Sequence, residues 1–121
     1  MTINNFRELR VWQSGMDLVE QIYQLTRLFP SHEQYGLTSQ LRRCAVSIPS
    51  NIAEGHAREH LKEYLYHVSV AQGSLAELQT QVEIAARLSY FPYDQSEQLL
   101  KTAESLSRQL YALRNALNKR G

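Results

Sequence analysis

One apolar row constrains this sequence more than any other feature. Between about Arg58 and Ser89, apolar side chains recur alternately at intervals of three and four residues: Leu61, Tyr64, Val68, Ala71, Leu75, Leu78, Val82 and Ala85. A repeat of seven residues with two apolar positions is typical of a helix that packs along its whole length against other helices. The row predicts one helix of roughly 30 residues, which at about 1.5 Å per residue is about 45 Å long.

Two further segments have helical spacing. After SYFPYD, a leucine-rich row recurs every three or four residues: Leu99, Ala103, Leu106, Leu110, Leu113 and Leu117. Asp94 and Glu97 have the spacing of an N-cap and N3 pair for this helix. The first segment, from about Arg7 to Leu28, ends at Phe29-Pro30 and carries two neighbouring rows: Val11, Gly15, Leu18, Ile22, Leu25 and Phe29, and Trp12, Met16, Val19, Tyr23 and Thr26. Its apolar face is therefore broader than one helix seam requires.

A proline interrupts the segment LRRCAVSIPSNIAEGHARE. The apolar row keeps its helical phase across this proline: Leu37, Leu41, Cys44 or Ala45, Ile48 and Ile52. A single helix bent at Pro49, where the carbonyl of Ala45 loses its donor, is therefore favoured. The alternative ends one helix near Val46 and starts another with Ser47 as its N-cap.

The ends of this second helix have several candidate signals. Ser31 with Gln34 resembles a capping box, although Thr38 is an equally good start. Gly55 is expected to end the helix as a C-cap glycine.

These four segments predict an all-α fold in a single domain spanning residues 1–121. Scarce glycine and proline favour helix, and no segment alternates with period two. Amphipathic helices joined by short connections pack most simply as an up-down-up-down antiparallel four-helix bundle.

The composition limits which cellular compartment and which binding partners are expected. Thirteen basic and twelve acidic residues give a net charge of +1, so nucleic-acid binding would need local charge segregation. The single cysteine, Cys44, lies on the core row and is expected to be a buried apolar residue. Without a membrane-spanning run or a secretion signal, the sequence predicts a cytoplasmic protein with no membrane partner.

The bundle topology gathers basic residues at one end, where the N-terminus, the connection between helices two and three, and the C-terminus meet. These residues are Arg7, Arg10, Arg58, Lys62, Arg114, Lys119 and Arg120, against Glu8, Glu54, Glu59 and Glu63, which leaves an excess of three positive charges. The end is a candidate surface for phosphate groups of RNA, with salt-sensitive binding. The alternative is a set of solvated charges, of which the C-terminal ones interact favourably with the helix dipole.

A second polar feature lies beside the core row of helix two. Arg43, Ser47, Ser50 and Glu54 follow helical spacing, next to Arg42. The two arginines are expected either to pair with acidic residues such as Glu77 or Glu83 on helix three, or to form an anion site.

Self-association has two candidate surfaces. Ser69, Gly73, Ala76 and Thr80 form a row of small residues on helix three, and Val11, Gly15, Leu18 and Ile22 lie on the broad face of helix one. A glycine inside a helix costs about 1 kcal/mol relative to alanine, so close approach of another helix would explain Gly73. Packing within one chain could accommodate both rows.

The sequence predicts no enzyme, cofactor or metal site. His56 and His60 have the spacing of a helical metal pair, but His60, Glu63 and His67 lie outside the heptad row and are expected to face solvent. No phosphate-binding glycine loop, dinucleotide motif or zinc-protease motif occurs.

Three stretches together carry a resemblance to a known family: FRELRVWQ, LFPSHEQYGLTSQLRRCAVSIPSNIAEG and AQGSLAELQTQ. The chain resembles the 23S rRNA intervening-sequence proteins, four-helix bundles related to the accessory variability determinant of diversity-generating retroelements. The most specific part is SIPSNIAEG preceded by QLRR, and the matching signature residues are Arg42, Arg43, Ser47, Pro49, Asn51, Ile52, Ala53, Glu54 and Gly55. Such a signature can mark folding or assembly as readily as binding.

The resemblance implies a ring-like homopentamer, and in the retroelement relatives contact with a reverse transcriptase and nucleic acid through basic surfaces. Combined with the residue patterns, it gives the first hypothesis: a non-enzymatic oligomer that binds RNA or a ribonucleoprotein, including a nucleic-acid-binding enzyme, through the basic end. The second hypothesis is a protein–protein interaction scaffold without affinity for nucleic acid.

Overall fold

Four α-helices make up most of the chain. The computed structural model describes residues 5–121. Its helices are α1 (Arg10–Thr26), α2 (Leu37–Ala57), α3 (Leu61–Arg87) and α4 (Glu97–Asn118), and 3₁₀ turns cover Phe6–Glu8, Ser31–Glu33 and Tyr93–Ser96. Residues 5–121 contain no strand. The predicted all-α helical bundle is confirmed.

The predicted apolar rows of α3 and α4 form the core. Every residue of the α3 row from Tyr64 to Ala85 is buried, and Leu61 is half-buried. On α4, Leu113 is half-buried and the other five members of the row are buried. Side chains repeating at 3.6-residue intervals thus lie on the inner face of each helix, as the spacing predicts.

Helix α1 uses one of its two apolar rows for the core. Val11, Leu18 and Ile22 are buried, and a methyl group on Gly15 would lie 3.4 Å from the Cβ atom of Pro49 on α2. The prediction that Val11, Gly15, Leu18 and Ile22 contact another copy of the chain is therefore wrong, because the chain's own helices cover this row. The other row is left partly exposed, with Met16 40% exposed.

Helix α2 runs without interruption through Pro49, which confirms the prediction of a single helix. Pro49 itself is buried. Ser47 does not cap a new helix, because it lies inside α2, and its hydroxyl lies 2.9 Å from the hydroxyl of Ser74 on α3. A buried proline ring in contact with Gly15 offsets part of the cost of the missing backbone hydrogen bond.

Three predictions of helix ends are wrong. Gly55 lies inside α2 without positive φ, and the helix continues to Ala57. Helix α2 begins after Gly36, where the Glu33 carboxylate accepts a hydrogen bond of 3.0 Å from the Leu37 N–H, so neither candidate start is its N-cap. Asp94 lies in a 3₁₀ turn, and Ser96 precedes α4. At the start of α4, a local 3₁₀ turn thus takes the place of the side-chain cap that the spacing suggested.

Two of the connections between helices are tied together. The Tyr90 hydroxyl donates a 2.6 Å hydrogen bond to Glu33, and Phe29 stacks on Phe91 with ring centroids 6.2 Å apart. Hydrogen bonds from the Leu37 backbone and from Tyr90 lower the pKa of the Glu33 carboxyl group. The loop after α1 is thereby held against the loop after α3.

A polar ladder joins α2 to α3 beside the apolar core. His67, Ser74 and Gln81 lie seven residues apart on α3 and face Asn51, Ser47 and Gln40 of α2, at distances of 2.9, 2.9 and 3.2 Å. Buried Cys44 donates weakly to Gln81. Burial raises the pKa of this thiol to about 12, which keeps it protonated and confirms Cys44 as a core residue.

Removing the Asn51 amide is expected to weaken this ladder. Asn51→Ala leaves the Nδ1 atom of His67 without its 2.9 Å acceptor, and we expect a loss of about 1–3 kcal/mol in the free energy of unfolding. Urea denaturation measures this loss. The matched control is Ser50→Ala, an exposed neighbour on α2 that should change stability by no more than about 0.5 kcal/mol. Equal effects of the two variants would contradict a stabilising role for the ladder.

Among residues 5–121, none of the helices combines the length and the hydropathy that crossing a bilayer requires.

Candidate nucleic-acid interface

Parts of the chain that are distant in sequence meet at one end of the bundle. A side chain on the terminal Gly121 would contact Leu61 at the start of α3. Burial raises the pKa of Tyr64, and the nearby positive charge of Arg120 opposes that shift. The turn Phe6–Glu8 contacts α2, and the His56 and Tyr64 rings lie edge to face, 6.1 Å apart.

This end carries most of the predicted basic residues on its surface. We call the following exposed set the basic end: Arg7, Arg10, Arg58, Lys62, Lys119 and Arg120. Arg114 lies outside it, half-buried on the flank of the bundle, where it donates a 3.0 Å hydrogen bond to Gln72 of α3. The predicted cluster thus contains six basic residues rather than seven.

Acidic neighbours balance part of that charge. Arg58 forms an ion pair of 3.0 Å with Glu54 and a longer one of 4.0 Å with Glu63. Both pairs are solvent-exposed, so water and salt screen them. Because exposed pairs of this kind contribute little to stability, Arg58 can exchange its carboxylates for phosphate oxygens at low energetic cost.

An open groove adjoins the basic end. It encloses about 530 Å³ and is lined by Arg58, His60, Lys62, Glu63, Tyr66 and His67. The Tyr66 side chain is 64% exposed and makes an edge-to-face contact with the His67 ring at 5.3 Å. A cation beside an exposed aromatic ring can bind a phosphate and stack on an unpaired base.

The position of His67 differs from the sequence prediction. His67 is 9% exposed rather than solvent-facing, because its Nδ1 atom bonds to Asn51 and its Nε2 atom lies 3.4 Å from the Glu54 carboxylate. The Asn51 amide nitrogen donates to the Ser47 carbonyl at 2.8 Å, which orients the amide oxygen toward the histidine. The sequence did contain a signal for this inward position: His67, Ser74 and Gln81 recur every seven residues and therefore share one face of α3.

Arg42 turns toward α1 rather than toward the acidic residues of α3. Its Nε atom donates a 2.9 Å hydrogen bond to the Thr26 hydroxyl, and its guanidinium group lies 4.5 Å above the Tyr23 ring. Glu77 instead accepts from Gln81, and Glu83 pairs with Arg87. Pairing of the two arginines with Glu77 or Glu83 is therefore not found among residues 5–121.

Comparison with models of protein families shows which family the chain belongs to. The model of the family described as 23S rRNA-intervening sequence protein matches residues 7–112. The chain belongs to this family. Its sequence resemblance is thereby confirmed over nearly the whole chain.

A solved structure shares the fold of this 23S rRNA-intervening sequence family member. The structure is that of a protein of unknown function from the S23 ribosomal protein family of Bacteroides thetaiotaomicron. It has a TM-score of 0.79 and 17% sequence identity, and the alignment covers 87% of this chain and 95% of that one. No curated protein matches the chain.

Most signature residues of this 23S rRNA-intervening sequence family member contact other parts of its own chain. Pro49 contacts Gly15, Ser47 contacts Ser74, and Asn51 contacts His67. Gly55 brings α2 close to α3, where an added methyl group would lie 2.9 Å from the Cβ atom of His67. These signature residues therefore pack α2 against its neighbouring helices. Arg42 and the exposed Arg43 instead line a separate groove.

The small-residue row of α3 lies on the surface of this family member. Ser69, Gly73, Ala76 and Thr80 are all exposed, and a methyl group added to Gly73 would meet no atom within 4 Å. Within the single chain, nothing in residues 5–121 requires a glycine at this position.

No cluster of three or more histidine, cysteine, aspartate or glutamate side chains with a geometry suited to a metal ion occurs in residues 5–121.

Proposed function

We propose that this protein is a non-enzymatic, cytoplasmic RNA-binding bundle that contacts its ligand through the basic end. The observation that carries the proposal is the groove that Arg58, His60 and Lys62 line together with the exposed ring of Tyr66. Each cation–phosphate contact releases counterions, so the binding weakens as salt concentration rises.

Neutralising three residues of the basic end should reduce both the affinity for RNA and its salt dependence. The test variant is Arg58→Gln, Lys62→Gln and Arg120→Gln combined, titrated with structured RNA in a filter-binding assay at several salt concentrations. Since each phosphate contact contributes about 0.7–0.9 to the slope of log affinity against log salt, we expect the slope to fall by roughly 2.

The matched control is Arg87→Gln, Lys101→Gln and Arg108→Gln combined. It removes the same residue types, also exposed, outside the basic end. It should therefore retain the wild-type slope. If both triple variants bind like the wild type, or if the wild type does not bind at low salt, the assignment of the basic end is wrong.

We also propose that copies of the up-down antiparallel bundle associate through the small-residue row of α3, in the ring-like homopentamer that the family resemblance implies. The Gly15–Pro49 and Leu61–Gly121 contacts support the antiparallel order of helices. The open space around Gly73 supports close approach by another helix, because small residues allow backbones to come near each other.

A bulky charge in this row should dissociate the assembly. Ala76→Arg is expected to lower the mass measured by light scattering on a sizing column. Ala112→Arg, at an exposed alanine of α4, is the matched control and should keep the wild-type mass. A monomeric wild-type protein, or an unchanged mass of Ala76→Arg, would contradict this interface.

The alternative is a protein-interaction scaffold that binds no nucleic acid. One observation favours it: an open apolar groove of about 320 Å³ lined by Trp12, Met16, Val19, Val46, Pro49, Ser50 and Ala53. A null RNA titration at low salt, together with a purified protein free of excess absorbance at 260 nm, would select this function.

A further inference from the structure

A second polar groove lies between α1 and α2, apart from the basic end. It encloses about 570 Å³, within the range of small-molecule sites, and none of its lining residues is acidic. Its lining includes two arginines, Arg42 and Arg43, and two tyrosines, Tyr23 and Tyr35. Uncompensated guanidinium groups in a concave site attract an anionic ligand.

Arg42 is held in place before any ligand arrives. The buried Thr26 hydroxyl lies 2.7 Å from the Ile22 carbonyl, to which it donates, and it accepts the 2.9 Å hydrogen bond from the Nε atom of Arg42. The Tyr23 ring supports the guanidinium plane from below, at 4.5 Å. These contacts use the Nε atom and one face of the plane, and they leave the fork of terminal nitrogen atoms for a ligand. A planar fork of this kind matches two oxygen atoms of a phosphate.

The rest of the lining indicates what is attached to the phosphate. Tyr35 is 91% exposed, so its ring offers a free aromatic face at the groove. Ser39 adds a hydroxyl group that can donate or accept a hydrogen bond, whereas the Ser47 hydroxyl is already bonded to Ser74. An aromatic face beside an arginine pair suits a planar base linked to a phosphate, since bases stack on aromatic rings with little regard to sequence.

We propose that the α1–α2 groove binds one nucleotide, with Arg42 and Arg43 on its phosphate and Tyr35 stacked on its base. The nucleotide is either a free mononucleotide or an unpaired residue of an RNA strand, which share this chemistry. The proposal does not depend on RNA binding at the basic end. A phosphoserine peptide would use the two arginines but would leave the face of Tyr35 uncovered.

Calorimetric titration of the full chain tests the site. The probes are adenosine 5′-monophosphate, adenosine, inorganic phosphate, a phosphoserine peptide and single-stranded tetra-adenylate. We expect saturable binding of the monophosphate, at least about tenfold tighter than binding of adenosine or of phosphate, since both halves of the ligand are recognised. Equal affinity of the monophosphate and the tetranucleotide assigns a free nucleotide, and a tenfold preference for the tetranucleotide assigns a strand.

Variants of the groove residues test recognition of the phosphate and recognition of the base separately. Arg43→Gln removes a charge-assisted contact, and Arg42→Lys keeps the charge but removes the planar fork, so each should weaken binding by about tenfold. Tyr35→Ala should weaken binding by at least about fivefold through lost stacking. Arg43 and Tyr35 are exposed, so these two variants test the site even if Arg42→Lys disturbs the fold. Arg108→Gln on α4 removes the same charge outside the groove and should bind like the wild type.

Several results would overturn the proposal. They are the absence of saturable binding by both nucleotide probes, a phosphoserine peptide or inorganic phosphate that binds as tightly as the monophosphate, and unchanged affinity in Arg43→Gln and Tyr35→Ala. The triple variant of the basic end should retain monophosphate binding. Failure of RNA binding at the basic end is thus distinguishable from failure of this site.

Discussion

Replacing Leu78 with alanine is expected to lower the free energy of unfolding by about 2–5 kcal/mol. Leu78 lies on the heptad row of α3, and its side chain is 0% exposed. The substitution removes apolar contacts and leaves a cavity, because the surrounding helices relax only partly. Domains of this size have a total stability of about 5–15 kcal/mol, so the loss is a large fraction of it.

Ile84→Ala is the control for this substitution. Ile84 is on the same helix but 43% exposed, so the loss should stay below about 1 kcal/mol. Urea denaturation followed by circular dichroism compares the two variants. The slope of the unfolding free energy against urea concentration must be the same for both, so that a shift in the midpoint reports a change in stability. A Leu78→Ala variant as stable as Ile84→Ala would mean that the α3 row is not the centre of the core.

Gly55→Ala is expected to destabilise the protein by about 1–3 kcal/mol, although alanine is the better helix former. The added methyl group would lie 2.9 Å from the Cβ atom of His67 and 3.0 Å from the Cδ1 atom of Tyr64. Neither atom is the end of a flexible side chain, so α2 and α3 must move apart. Such a shift would also disturb the groove at the basic end, which His67 helps to line.

Gly73→Ala adds the same methyl group but is expected to raise the free energy of unfolding rather than lower it. Gly73 is also inside a helix, but a methyl group there meets open space. Here the gain in helix propensity should stabilise the folded chain by about 0.5–1 kcal/mol. Because Gly73 belongs to the proposed self-association surface, unfolding is measured at two protein concentrations. Equal shifts for the two glycine variants would contradict the close approach at Gly55.

The helices were predictable because their signal is local. Residues at 3.6-residue spacing share a face whatever surrounds them, so the rows of α3 and α4 were identified from sequence and are buried in the structure. Helix ends were less predictable. Asp94 has the spacing of an N-cap, yet a 3₁₀ turn occupies that stretch, since short turns depend on where the neighbouring helices lie.

The candidate site was predictable in outline and not in detail. Counting charges at one end of the predicted antiparallel bundle identified Lys62 and Arg120, and both are exposed. The count could not show that Arg58 pairs with two glutamates or that Arg114 bonds to Gln72. Those partners depend on side-chain distances across helices, which spacing along one helix does not contain.

The sequence by itself determined which residues can share a face, since helical geometry maps position onto angle. Only the tertiary structure decided which face meets a neighbour. For α1, contact with Pro49 buries the Gly15 row and leaves Met16 partly exposed, although both rows have equal helical spacing. The same holds for the two helical glycines, Gly55 and Gly73, because the space beside a helix depends on how closely the next helix approaches.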